Sequence, residues 1–159
     1  MGKAIVIPLQ LIFCAAMVFG LVVGCSSLGG YNLPNVQRDF QSTIQRNEPL
    51  VNRANTDLVE KKVLVETLAR SGQPQWPSVA PQVKIKLESM ADLIPDINRA
   101  KAQLAELNGQ ISALSYNRTQ VNKNDEAWER ADQIVHEFDS AAQNLNSKLN
   151  LYGRESNDL

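Results

Sequence analysis

The sequence predicts an all-α protein, an elongated antiparallel three-helix bundle, and three observations carry that prediction. Beyond residue 34 the chain is rich in Ala, Leu, Gln, Glu, Lys and Arg, which are good helix formers. Its apolar residues recur there at gaps of three and four in three segments, the period of amphipathic helices. Two short clusters of turn residues separate the segments, so neighbouring helices are expected to run antiparallel. No alternating run is long enough to suggest a strand.

Residues 1–24 are unlike the rest. Met1-Gly2-Lys3 carries one positive charge, and Ala4 to Val23 carries none. A basic start, an apolar run and small residues form a secretory signal pattern. The run is also close to the ~20 residues that cross a bilayer, so a retained transmembrane helix is the competing reading. The run ends in Leu21-Val22-Val23-Gly24-Cys25-Ser26-Ser27. With an aliphatic residue three before the cysteine and a small one just before it, this resembles the lipobox of bacterial lipoproteins. Val23 stands where Ala or Ser is more usual.

The resemblance implies that the Cys25 thiol takes a diacylglycerol, that the chain is cut between Gly24 and Cys25, and that the new amine is acylated. Each buried CH₂ contributes ~0.8 kcal/mol, so one chain holds marginally and two or three hold firmly. Ser26, where Asp would favour retention in the inner membrane, implies the inner leaflet of the outer membrane for a Gram-negative source. Residues 25–34, beginning Ser-Ser-Leu-Gly-Gly after the cysteine, suit a flexible tether.

The first helix is expected over 35–71. Val36, Phe40, Ile44, Val51, Ala54, Leu58, Val65 and Leu68 make one stripe, interrupted at Asn47 and at the lysines at 61 and 62. The stripe keeps its phase across Pro49, which favours a kink over a break. Gly72 ends the helix, and Pro74, Pro77 and Pro81 stiffen the turn that follows.

The second helix is expected over 82–117, with Leu87, Met90, Ile94, Ile97, Leu104, Leu107, Ile111 and Leu114 as its stripe and a kink at Pro95. Thr119 to Asn124 is polar and reads as a turn, with Asn124 or Asp125 capping the third helix. That helix, 125–152, has the most regular pattern: Trp128, Ala131, Val135, Phe138, Ala142, Leu145, Leu149 and Tyr152 form a strict heptad seam. Gly153 closes it, leaving 154–159 as a polar tail. The seam could equally serve self-association, which gives the alternative fold: a coiled-coil-like hairpin with a separate third helix.

Composition narrows the function. Cys14 would leave with the signal and Cys25 would carry lipid, and the chain has 2 cysteines, so the domain must fold without a disulfide. The balance of 16 basic and 17 acidic side chains has no long block of either sign, which argues against a nucleic-acid surface. There is no nucleophile elbow, phosphate loop or His-Glu-x-x-His motif. His136, the lone histidine, neighbours the seam and reads as a surface residue. Trp128 falls on the seam and reads as core.

Trp76, in a stiff turn, is the best candidate for a partner contact, the competing reading being that it folds back to plug the bundle end. The expectation is a non-enzymatic lipoprotein of the cell envelope, without cofactor or metal, whose helices form an interaction or scaffolding module. Its partners would be the membrane through its lipid, and another envelope protein, peptidoglycan or a second copy. The alternative is a ligand-binding or chaperone-like module.

Overall fold

The structure, a computed structural model, describes residues 30–159. The segment 1–24 expected to be a signal, the expected cleavage between Gly24 and Cys25 and the expected lipidation of Cys25 lie outside the described residues. Three helices follow one another: α1 (Leu33–Arg70), α2 (Trp76–Asn117) and α3 (Trp128–Asn157). They run up, down and up, and α2 packs against both of the others. At 1.5 Å per residue, α1 spans about 57 Å, α2 about 63 Å and α3 about 45 Å. The predicted all-α three-helix bundle is the observed fold.

Prolines 49, 81 and 95 all lie inside continuous helices. On α1 the buried seam runs Leu33, Val36, Phe40, Asn47, Val51, Ala54, Leu58 and Val65. Asn47 belongs to it because its amide donates back to the Thr43 carbonyl, which satisfies a buried polar group locally. On α2 the seam passes through Leu93 and Ala100, not through Ile94, which is only half-buried. Leu87 and Ile94 lie on the side turned to α1, as do Asn98 and Lys101, which bond Asn55 and Glu48. On α3 the predicted seam is buried or packed on the core throughout, and Ile134 and Ala141 join it. A helix that touches two others needs a wider apolar face than a two-stranded coiled coil. The Phe40 and Phe138 rings stack face to face in the core between α1 and α3.

Five features differ from the sequence expectation. Gly30 to Pro34 are not tether: Gly30–Asn32 form strand β1, and α1 begins at Leu33, capped by the Asn32 side chain, which accepts from the Asn35 amide. The expected turn at 119–124 contains strand β2 (Gln120–Asn122), antiparallel to β1 with Tyr31 opposite Val121. Three-residue strands carry no readable period, and these partners are far apart in sequence. A Cβ on Gly30 would lie 2.6 Å from the Val121 carbonyl oxygen, so this close approach requires glycine.

α2 starts at Trp76, because Pro77 falls at the helix start, where its missing N–H has no helical partner to lose. α3 starts later than expected, at Trp128, with no side-chain cap; Asp125 instead accepts from the Asn122 amide and tightens the β2 turn. It also runs on through Gly153 to Asn157, so 154–159 is not a free tail. The Tyr152 and Ser156 hydroxyls donate to Asp57 at 3.0 and 2.7 Å, Lys61 donates to the Ser156 carbonyl, and Leu159 packs on the core. These contacts outweigh the ~1 kcal/mol that an internal glycine costs a helix.

Candidate functional site

The two ends of the bundle are built differently. At the foot, the β1–β2 ladder closes the chain entrance. Leu33 N–H donates to the Thr119 carbonyl at 3.1 Å, and the Tyr31 ring stacks on Trp128 with centroids 4.7 Å apart. The Tyr31 hydroxyl donates to Asp132 at 2.6 Å; burial first, and the Asp132 carboxylate second, push its pKa well above the ordinary tyrosine value. Trp128 is therefore part of the packed foot, as its place on the seam predicts.

At the other end α1 and α2 outrun α3. The last residues of α3 lie beside Asp57 and Lys61 of α1 and Lys86 of α2, which pairs with Glu155 at 3.5 Å and Asp158 at 3.1 Å. The hydrogen bond to Asp158 raises the pKa of Lys86 above its ordinary value. Beyond that level, residues 62–85 form a bare two-helix hairpin. Its bend is local chemistry. Gly72 adopts φ +66°, the left-handed conformation that stops α1, and the Ser71 amide donates to the Thr67 and Leu68 carbonyls. Trp76 N–H then donates to Gln73 at 3.0 Å and starts α2.

The α2 seam does not stop where its burial stops. Read backwards from Met90 in steps of four and three, it continues through Lys86, Val83, Val79 and Trp76. Val83 and Trp76 are half-buried and Val79 is exposed. On α1, Leu64 lies one heptad beyond Asp57, on the flank that meets α3 lower down, and is 54% exposed. Leu68, at the end of the α1 seam, is half-buried. Together Leu64, Leu68, Trp76, Val79 and Val83 continue the bed in which α3 lies, without a third helix on it.

Val59, Val63 and Ile85 add further exposed apolar surface around the same tip. Among the described residues, Tyr116 and Leu151 are the exposed large apolar side chains that lie elsewhere. The tip also differs in charge: Asp and Glu are absent between Glu66 and Glu88, the longest such interval among the described residues, while Arg70, Lys84 and Lys86 fall within it.

Trp76, predicted as a contact residue, sits at the start of α2 beside this bed, and it is not among the residues packed on the core. Leu64, Val79 and Val83 were not singled out by sequence reasoning. Their spacing is that of core residues, and only the shorter length of α3 exposes them. His136 is exposed and lies 3.7 Å from Asp132 on its own helix. Asp139 is half-buried, and desolvation raises its pKa, opposed by the nearby His136.

A shallow cleft of about 400 Å³ runs along α2 and α3 and is lined by Gln110, Glu126, Glu129, Arg130 and Glu137. Of its carboxylates, Glu129 and Glu137 stand on α3 and Glu126 in the turn before it. Among the described residues no group of three or more His, Cys, Asp or Glu is placed to hold a metal, and no helix is long and apolar enough to cross a membrane. Comparison with protein-family models, curated proteins and solved structures finds no match for the chain.

Proposed function

We propose that the protein is a membrane-anchored lipoprotein of the bacterial cell envelope, with a non-enzymatic helical domain that holds an interaction site away from the membrane. The single observation behind this reading is the lipobox-like Val22-Val23-Gly24-Cys25, five residues ahead of a strand at the opposite end of the bundle from the apolar tip. A lipid on Cys25 would tether the foot. The hairpin tip would then stand up to about 57 Å out along α1 and carry the contact with a partner, Trp76 among its residues. No cofactor or metal is part of this reading, and the alternating charges of the body fit a solvated shaft. Ser26 supports the inner leaflet of the outer membrane if the source is Gram-negative.

The experiment is the intact mass of the chain extracted from membranes, beside a Cys25→Ala variant. Loss of residues 1–24 with the added mass of acyl chains, in the wild type alone, is the expected result. An unmodified, uncut wild type would overturn the reading and leave residues 4–23 as a membrane-spanning candidate.

A second reading, a chaperone-like module, draws on the same exposed Val59, Val63 and Leu64. It predicts suppression of aggregation of unfolded proteins of unrelated sequence, which a site for one defined partner does not.

A further inference from the structure

The foot carries side chains that a contact at the tip leaves unused. β1 and β2 lay Tyr31 and Val121 on the core and turn Asn32, Gln120 and Asn122 away from it, into solvent. Arg118 leads into this ribbon in extended conformation and Lys123 follows it, both exposed. Tyr116, the penultimate residue of α2, is 89% exposed, the most exposed large apolar side chain among the described residues. The side chains of Tyr116 and Arg118 have no hydrogen-bond, ion-pair or ring partner among the described residues.

Charge is one-sided at this end. Asp and Glu are absent from Gly30 to Gln37 and from Tyr116 to Asn124, stretches that hold Arg118 and Lys123. Arg38 and Asp39 offset one another on the second turn of α1. The acidic groups near the foot are engaged or set back. Asp125 accepts from the Asn122 amide and Asp132 from the Tyr31 hydroxyl. Glu126 lines the cleft with Gln110, about 10 Å back along α2 from its end.

From this surface we infer that the foot docks on the phospholipid headgroups of the membrane, with Tyr116 at headgroup level and Arg118 and Lys123 on lipid phosphates. The inference deepens the proposed lipid anchor and rests on it. Gly30 follows Cys25 by five residues, so at most about 18 Å of chain separates a lipid on Cys25 from the ribbon. Acyl chains there bring a bilayer to the foot and not to the tip, which stands much farther away along α1. Tyrosine settles at the headgroup level, where its apolar ring and its hydroxyl both find partners. Arginine takes phosphate through two parallel N–H groups, and basic residues beside an anchor are drawn to anionic lipid.

The test uses the full chain, extracted from membranes and reconstituted in phosphatidylcholine–phosphatidylglycerol vesicles with nitroxide on some headgroups. Quenching of tryptophan fluorescence is read, because the chain has 2 tryptophans, one at each end. A Trp76→Phe variant reports the foot through Trp128, whose ring lies 5.9 Å from the Lys123 ammonium. A Trp128→Phe variant reports the tip. Quenching of Trp128 is expected to exceed that of Trp76 by about fivefold or more, and to weaken in high salt and in vesicles of phosphatidylcholine alone. Adding Tyr116→Ala, Arg118→Gln and Lys123→Gln is expected to reduce it by about twofold or more while the melting temperature stays unchanged. Arg118→Lys alone keeps the charge and should keep most of the quenching.

Equal quenching at the two ends would overturn the proposal. Quenching of Trp128 that survives the triple substitution would do the same, because the tether alone then holds the foot near the bilayer. Intact mass separates the two readings. An acylated Cys25 with Trp128 unquenched overturns the docked foot and leaves the anchor standing, whereas an unmodified Cys25 overturns the anchor and the docking with it.

Discussion

The body and the tip of this protein are made from the same two helices and the same apolar period, yet they differ in what completes them. Along the body, α3 covers the seam between α1 and α2, and residues such as Leu104 and Ile111 are essentially removed from water. Along the tip the seam goes on, α3 does not, and Leu64 and Val79 remain exposed. The difference shows that a three-four repeat specifies a face and not its burial. Burial also requires that a neighbour be long enough, and helix lengths are set by end residues far from the face in question.

Matched substitutions sharpen this contrast. The largest effect is expected for Leu104→Ala, at 1% exposure, which should cost about 2–5 kcal/mol in a urea titration because it empties a packed site. Asp57→Ala comes next. It leaves the buried Tyr152 and Ser156 hydroxyls without their acceptor, and a loss of about 1–3 kcal/mol is expected in the same assay.

Gly72→Ala should cost ~1 kcal/mol, the penalty of a Cβ in the left-handed region, since the space around that position is empty. If the tip opens independently of the body, that loss will show as faster hydrogen exchange in the last turns of α1 with little change in the global midpoint. A shift of the midpoint by the full amount would instead make tip and body one cooperative unit. The smallest equilibrium effect belongs to Leu64→Ala, which should stay within ~0.5 kcal/mol because the side chain is already solvated. A cost near that of Leu104→Ala would erase the distinction between the two regions.

Asp139 offers a comparison by pH rather than by position. Burial raises its folded-state pKa, so its charged form opposes folding. Its favourable contribution is complete below the unfolded carboxylate pKa and disappears as pH rises through the folded value. Asp139→Asn should therefore raise the melting temperature at neutral pH and leave it nearly unchanged well below the carboxylate range.

The body was legible in the sequence because its helices are long and their seams regular. The α3 repeat from Trp128 to Tyr152 needed no tertiary information, and Pro49 and Pro95 did not disturb the phase of their helices. The foot was not legible. Tyr31 and Val121 belong to three-residue strands whose partners lie on different loops, and their burial follows from pairing alone. The end of α3 was misjudged at Gly153 because its continuation rests on Asp57, Lys61 and Lys86, all from other helices. Of the candidate site, Trp76 was visible as an aromatic in a stiff turn. The rest of the bed was hidden because Val79, Val83 and Leu64 have the spacing of ordinary core residues.

The ladder at the foot has a mechanical consequence. α1 and α2 are joined at the top by the bend at 71–75 and at the bottom by β1 paired to β2, so the two long helices form a closed hoop rather than an open clip. A clip could spread its arms from the free end; a hoop spreads only if one clasp is undone. Parting α1 from α2 along the body would therefore load the Gly30–Asn122 and Asn32–Gln120 pairs at the foot. Tension entering the chain ahead of Gly30 reaches that same clasp. Whatever pulls on the foot thus acts on the joint that keeps the shaft closed, while the bend that carries the tip stays outside the path of the load.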